Sequence, residues 1–191
     1  MTGRRYRSIL VPLDGSRLSE QAIPLAVAIA ERARAKLRFV LVYYLRGVPP
    51  SHEGRQLYDS LELAARRSEK TYLGSLIDKL KRQSSSSAIT STILTGAVAG
   101  TLREYIQEKR IDLVIMTSRG HGGLRRVWLG SVADSMIRKS SVPVLLVPPE
   151  ENPSAGPVLK NLNRILVPLD GSTLAEAIVD PVKELALLAA A

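Results

Sequence analysis

ILVPLDGS, Ile9–Ser16, occurs twice in this chain: the same eight residues stand again at Ile165–Ser172. The offset, 165 − 9 = 156 residues, is the length of a domain and too long for a solenoid unit. The likeness continues loosely, with Leu18–Ile23 (LSEQAI) against Leu174–Ile178 (LAEAI). The repeat divides the chain into a complete domain over residues 1–149, a linker over 150–163, and the first strand and helix of an incomplete second domain over 164–191. The stretch PPEENPSAGPVLKN, Pro148–Asn161, has the Pro, Gly, Asn and Ser content of a connection. In the second copy a strand is expected at Ile165–Leu169 and a helix from about Thr173 to Ala189. A lone strand that is apolar on both faces cannot satisfy its backbone or bury its side chains. Residues 164–191 therefore either stay disordered or dock; docking is the expectation, on the Val142–Val147 edge or, above all, by exchange with a neighbouring chain.

Working outward from Ile9, strand and helix patterns alternate. Ser8–Leu13 is a short apolar run closed by Asp14–Gly15–Ser16. Leu18, Ala22, Ala26, Ile29 and Ala33 recur at helical spacing, with Pro24 a kink near the start. Leu37–Tyr44 reads as a second buried strand. Leu57, Leu61, Ala65, Tyr72, Leu76 and Leu80 mark a long helix that ends at Ser84–Ser87. Ile89–Leu94, Leu113–Met116 and Val142–Val147 complete the strands, and Val98–Glu108 and Gly130–Lys139 the helices. Five strands alternating with helices predict an α/β fold with a parallel sheet, since each parallel return needs a crossover. In such a sheet the ligand crevice opens at the carboxyl ends of the strands, where strand order reverses.

Composition excludes several classes. There is no cysteine, so disulfides and thiolate chemistry are absent, and two histidines, His52 and His121, leave little for a zinc site. No apolar run approaches the roughly 20 residues that span a bilayer, and Pro12 and Asp14 interrupt the amino-terminal stretch that a signal peptide needs. A cytoplasmic protein without a membrane partner is the expectation. The net charge of +9 raises nucleic acid as a partner. Against it, the basic residues alternate with acids on helices, as in Glu62, Arg66, Arg67, Glu69 and Lys70, which is the pattern of a solvated face. A local excess does stand between Thr117 and Ser141: Arg119, Arg125, Arg126, Arg138 and Lys139 against Asp134. It suits a small anionic ligand as well as a long one.

Two segments at the strand ends carry chemistry. In Val11–Ser16, Asp14 and Ser16 either cap a helix around a Gly15 turn or offer a carboxylate to a ligand's hydroxyl or amino groups; spacing alone leaves both open. In Ile115–Ser131, IMTSRGHGGLRRVWLGS, Gly120, Gly122 and Gly123 follow a strand and Gly130–Ser131 opens a helix. Glycines let backbone N–H groups approach an anion, and a helix start adds orphan donors and the positive end of a dipole. Ser131 is a candidate cap or phosphate donor. His121 has no carboxylate partner in sequence and reads as inert. Tyr43 and Tyr44 read as strand-end packing and Trp128 as packing of the loop.

The order VPLDGS, DLVIM, a loop with nine residues between Gly120 and Gly130–Ser131, and VPVLLV resembles the universal stress protein family over residues 6–149, and the resemblance begins again at 164. It implies a Rossmann-like sheet of order 3-2-1-4-5, dimerisation and, in one branch, bound ATP with or without magnesium. Carried onto this sequence, Pro12, Leu13 and Asp14 stand at the adenosine end, and Val42 offers backbone to the adenine. Met116, Thr117, Gly120, Gly130, Ser131 and Val132 line ribose and phosphates. Thr117 departs from the pattern, which has glycine there. The resemblance implies a regulatory stress-response protein with slow ATP hydrolysis at most. Two alternatives stay open: a dimeric interaction module without nucleotide, and an adenylyl-transferring enzyme of the same broad fold. Homodimerisation is expected through the Val142–Val147 edge or by exchange of 164–191.

Overall fold

The computed structural model describes residues 6–43, 52–83 (side chains from residue 63 onward), 88–119, 129–149 and 164–190. The elements follow in the order β1 (Ser8–Leu13), α1 (Arg17–Glu20), α2 (Ile23–Ala33), β2 (Lys36–Tyr43), α3 (His52–Gln83) and β3 (Ile89–Thr95). After these come α4 (Val98–Glu108), β4 (Leu113–Thr117), α5 (Ser131–Lys139), β5 (Val144–Val147), α6 (Thr173–Glu176) and α7 (Val179–Ala190). The five strands form one parallel sheet in the order β3-β2-β1-β4-β5, the order that the family resemblance implies.

Because every central strand is covered on both sides, its residues are apolar throughout, and alternation sends them to two separate cores. Ile9, Val11 and Leu13 of β1, with Leu37, Phe39 and Leu41 of β2, pack against α2 and α3. Leu10, Val40, Val114 and Met116 point the other way, into a core with Leu102 and Tyr105 of α4 and Met136 of α5. Phe39 is fully buried, and truncating it to alanine costs about 3–5 kcal/mol.

The amino end of the sheet is fastened by Asp112. Its Oδ2 accepts the backbone N–H groups of Arg7 at 2.8 Å and Ser8 at 3.0 Å, and its own N–H donates to the Ser8 carbonyl at 2.8 Å. One carboxylate thereby satisfies two donors that precede the β1–β4 ladder.

Three expectations are corrected. The helix after β1 is split into α1 and α2, with Pro24 seated in the first turn of α2 where it loses no hydrogen bond and makes no kink. Ile165–Leu169 forms no strand, because nothing in the described residues pairs with it. The expected single helix Thr173–Ala189 is two, α6 and α7, separated at Ala177–Ile178 as α1 and α2 are at Gln21–Ala22. The second copy does dock, though not at the β5 edge: α7 lies on α2 of its own chain, with Leu185, Leu188 and Ala189 packed against the core beneath it.

Candidate functional site

The geometry of the site begins with a missing proton donor. Ser8 turns both its N–H and its C=O toward Asp112, on the β4 side. Backbone groups alternate sides along a strand, so Leu10 and Pro12 face β4 as well. Proline has no N–H. The ladder between β1 and β4 contains only Ile9↔Leu113 and Leu10↔Val114, although β1 runs on to Leu13 and β4 to Thr117. On the flanks, pairing continues: β1–β2 reaches Leu13↔Leu41 and β4–β5 reaches Thr117↔Val147. The sheet is therefore open along its carboxyl edge at the β1/β4 seam, the point where strand order reverses.

At the β1 lip stands a turn built from its own side chains. Asp14 Oδ1 accepts the Ser16 N–H at 3.0 Å and the Ser16 hydroxyl at 2.6 Å, while Gly15 takes φ +78°. Ser16 caps α1, its Oγ accepting the Ser19 N–H at 3.1 Å. The buried Ser19 hydroxyl returns to the Ser16 carbonyl at 2.9 Å. Asp14 itself is exposed. The cap is thus Ser16, while Asp14 closes the turn through Oδ1 on a carboxylate that also meets solvent at the mouth of the seam.

On the β4 side, the chain leaves at Thr117–Ser118 and returns at Gly130. Gly130 donates its N–H to the Ser118 carbonyl at 2.8 Å, and Ser118 donates to Val147 at 3.1 Å, which ties the loop base to β5. Gly130 is the N-cap of α5 and offers no side chain to its first-turn N–H groups. Among the described residues no cap side chain accepts from these groups, which stand at the positive end of the helix dipole. Ser131 is not the cap: it is the first helical residue and is exposed. Thr117 is 5% exposed, and its hydroxyl donates to the Arg119 carbonyl at 2.7 Å.

Placement of the other expected residues follows from face and edge. Val42, Met116 and Val132 share the α4/α5 core, and Pro12 lies on the same face by alternation. Leu13 points into the opposite core and is 5% exposed, so only its backbone can meet a ligand. Gly120, with Gly122, Gly123, His121, Arg125, Arg126, Trp128 and Tyr44, lies outside the described residues. The charge excess read from sequence is divided in space. Arg138 and Lys139 occupy the last turn of α5, about 12 Å along the axis from Gly130, and Arg138 pairs with Asp134 at 2.9 Å.

Sequence reading missed Tyr72 and Glu20. The Tyr72 hydroxyl of α3 donates to Glu20 of α1 at 2.8 Å, bracing the long helix against the Asp14 turn. Burial, then this bond and the nearby charges of Glu20 and Asp14, push the phenol well above its ordinary range. Their 52-residue separation left no local signal. Among the described residues no cluster of three or more His, Asp or Glu is placed to hold a metal, and no helix is long and apolar enough to cross a membrane.

Comparison with known proteins agrees with this architecture. The family model described as "Universal stress protein family" matches residues 5–148. A universal stress protein of Methanocaldococcus jannaschii is 31% identical over 147 residues, covering 74% of this chain and 82% of the relative. One from Mycobacterium tuberculosis is 30% identical over 181 residues, covering 86% of this chain and 54% of the relative. The chain thus spans about half the length of that relative. Among solved structures, the universal stress protein UspA from Lactobacillus plantarum superposes with a TM-score of 0.68 at 24% identity, over 76% of this chain and 99% of its own. A universal stress protein solved in complex with cAMP superposes with a TM-score of 0.57 at 24% identity, over 76% of this chain and 98% of its own. At these identities the superpositions speak to the fold. With three quarters of its length matched by the family model, the chain belongs to the universal stress protein family.

Proposed function

We propose that residues 1–149 bind an adenine nucleotide, ATP with or without magnesium, at the β1/β4 seam, and that the protein acts as a regulatory stress-response module with slow hydrolysis at most. The observation that carries this reading is the uncapped start of α5 beside a seam already opened at Pro12. Orphan N–H groups and a positive dipole end suit phosphate oxygens. Asp14 is set to accept from ribose or adenine, with the backbone at Leu13 and Val42 beside it. Met116, Thr117, Gly120, Gly130, Ser131 and Val132 are assigned to ribose and phosphates. The cAMP found in a protein of the same fold supports the ligand class. Mass spectrometry of the denatured, purified protein tests whether a nucleotide is carried, and calorimetry with Mg-ATP tests whether it binds. No heat up to millimolar concentration overturns the reading.

A second reading, an interaction module without nucleotide, is favoured by one observation: buried Thr117 stands where the family pattern has glycine. The same calorimetry separates the two. For assembly, β5 is an edge strand whose Val144, Leu145 and Leu146 are half-buried, and apolar edges invite pairing. A homodimer through the Val142–Val147 segment, or exchange of 164–191 between chains, is proposed, in the cytoplasm. Residues 164–191 are assigned to a second domain joined by the 150–163 linker. The half-length match to the mycobacterial relative supports that tandem arrangement.

A further inference from the structure

Helix α7 is the repeat counterpart of α2, and in this chain the two equivalent helices pack on each other. Subtracting the offset, Leu185 corresponds to Ile29 (185 − 156), Leu188 to Arg32 and Ala189 to Ala33. In the first copy Ile29 is 0% and Ala33 6% exposed, both turned onto the sheet. In the second copy Leu185 and Ala189 turn onto the first domain instead, together with Leu188. The contact is also polar. Arg32 reaches from α2 to the carboxyl end of α7, its Nη1 donating to the carbonyls of Leu188 at 2.8 Å and Ala189 at 3.4 Å. These are carbonyls that a helix end leaves without an internal partner, and a guanidinium at the negative end of the dipole is favourable. The Tyr6 hydroxyl donates to the Pro181 carbonyl at 3.0 Å, where a proline at 181 fits the first turn of α7.

We propose that the face formed by Tyr6 and by Arg32 of α2 is a helix-docking surface whose occupant is α7 of the same chain, and that residues 164–190 are an arm able to open from it. On the tandem reading, opening follows from the faces used. Leu185 and Ala189 serve α2 here and, on the tandem reading, serve a second sheet as Ile29 and Ala33 serve the first. They cannot do both at once. The remainder of the arm is poised for such a transfer: Leu166 is 91% and Leu174 84% exposed, while Leu10 is fully buried at the equivalent of Leu166. The occupant the surface selects is a short apolar helix with its carboxyl end presented to Arg32.

The absence of cysteine gives a clean background for a thiol-labelling test in the full chain. Three single variants are compared by their rates with a small thiol reagent: Leu187→Cys on the exposed face of α7, Leu188→Cys on the docked face, and Ile29→Cys in the core. The expected order is Leu187→Cys fastest, Leu188→Cys slower by about tenfold or more, and Ile29→Cys slower again by a similar factor, the signature of a sub-global opening. Adding Arg32→Ala should speed Leu188→Cys toward Leu187→Cys while leaving Ile29→Cys unchanged, which shows that the domain stays folded. Equal rates for Leu188→Cys and Leu187→Cys overturn the docking surface. Equal rates for Leu188→Cys and Ile29→Cys overturn the opening arm. Neither readout involves nucleotide, so failure here is separate from failure of the binding reading.

Discussion

Thr117 gives its hydroxyl proton to the carbonyl of Arg119, 2.7 Å away and two residues on, at the base of the loop that returns at Gly130. The side chain that departs from the family pattern is thus turned back on its own chain. Thr117→Val, which keeps the shape and removes the bond, should lower stability by about 1 kcal/mol in urea denaturation. On the binding reading, ATP affinity should stay within about threefold, under 1 kcal/mol of binding energy. A gain of affinity of tenfold or more in Thr117→Gly would mean that the side chain blocks the site.

Gly130 offers a substitution whose two effects have opposite sign. Its φ of −73° is open to any residue. Gly130→Asp places a carboxylate at the N-cap of α5, where it accepts first-turn N–H groups and complements the dipole. The protein should become more stable by about 0.5 kcal/mol. The same carboxylate occupies the donors assigned to phosphate and repels it, so Mg-ATP affinity should fall by about tenfold or more. Thermal melts and calorimetry on one preparation check both signs.

Asp112 should behave as a purely structural carboxylate. Asp112→Ala deprives two backbone N–H groups of their acceptor and should cost about 2 kcal/mol, visible as a lower urea midpoint with unchanged slope. Because Asp112 lies at the amino end of the β1/β4 seam, away from its carboxyl edge, nucleotide affinity should, on the binding reading, be unchanged in the folded fraction.

Glu69 is expected to be a small liability near neutral pH. Its Oε2 is buried without a hydrogen-bond partner among the described residues. Burial raises its pKa, against the opposing pull of Arg66. A carboxyl whose folded pKa is raised costs stability when ionised, above that pKa, and the cost fades as pH falls through it. Glu69→Gln should therefore raise the melting temperature at pH 7, by about 2 °C, and the gain should vanish near pH 4. An equal gain at both pH values would assign it to packing.

The aspartate turn shows how much of the fold is written locally. Around Asp170 the turn is rebuilt without any sheet behind it. Ser172 donates to Asp170 at 2.9 Å, Ala175 to the Ser172 hydroxyl at 3.1 Å, and Gly171 takes φ +82°. The Asp14 copy has 3.0 Å, 3.1 Å and +78°. Those serine bonds hold the exposed Asp170 carboxyl below its ordinary range. Turn and cap are legible from eight residues because eight residues suffice to make them. The strand is different. ILVPL is a strand at Ile9–Leu13 and is not at Ile165–Leu169, since a strand needs neighbours that the segment cannot supply. The parallel sheet was legible for the same reason in reverse, since buried runs joined by crossovers leave few arrangements, while its strand order was implied by the family resemblance. The Tyr72–Glu20 brace and the α2–α7 contact were not, because each joins residues more than fifty positions apart through side chains that carry no periodic signal.

The β1–β4 ladder that stops at Leu10↔Val114 has a consequence for the energetics of recognition. The seam's width is set covalently, by an imino acid that cannot donate, and so it is settled when the chain folds. On the binding reading, a ligand at this edge does not have to pull β1 away from β4, and the free energy of separating them is absent from the binding equilibrium. Replacing Pro12 by an N–H-bearing residue would let the strands zip further, making the empty protein more stable and turning every act of entry into a local unzipping. Preorganisation, in this sheet, comes down to one missing proton.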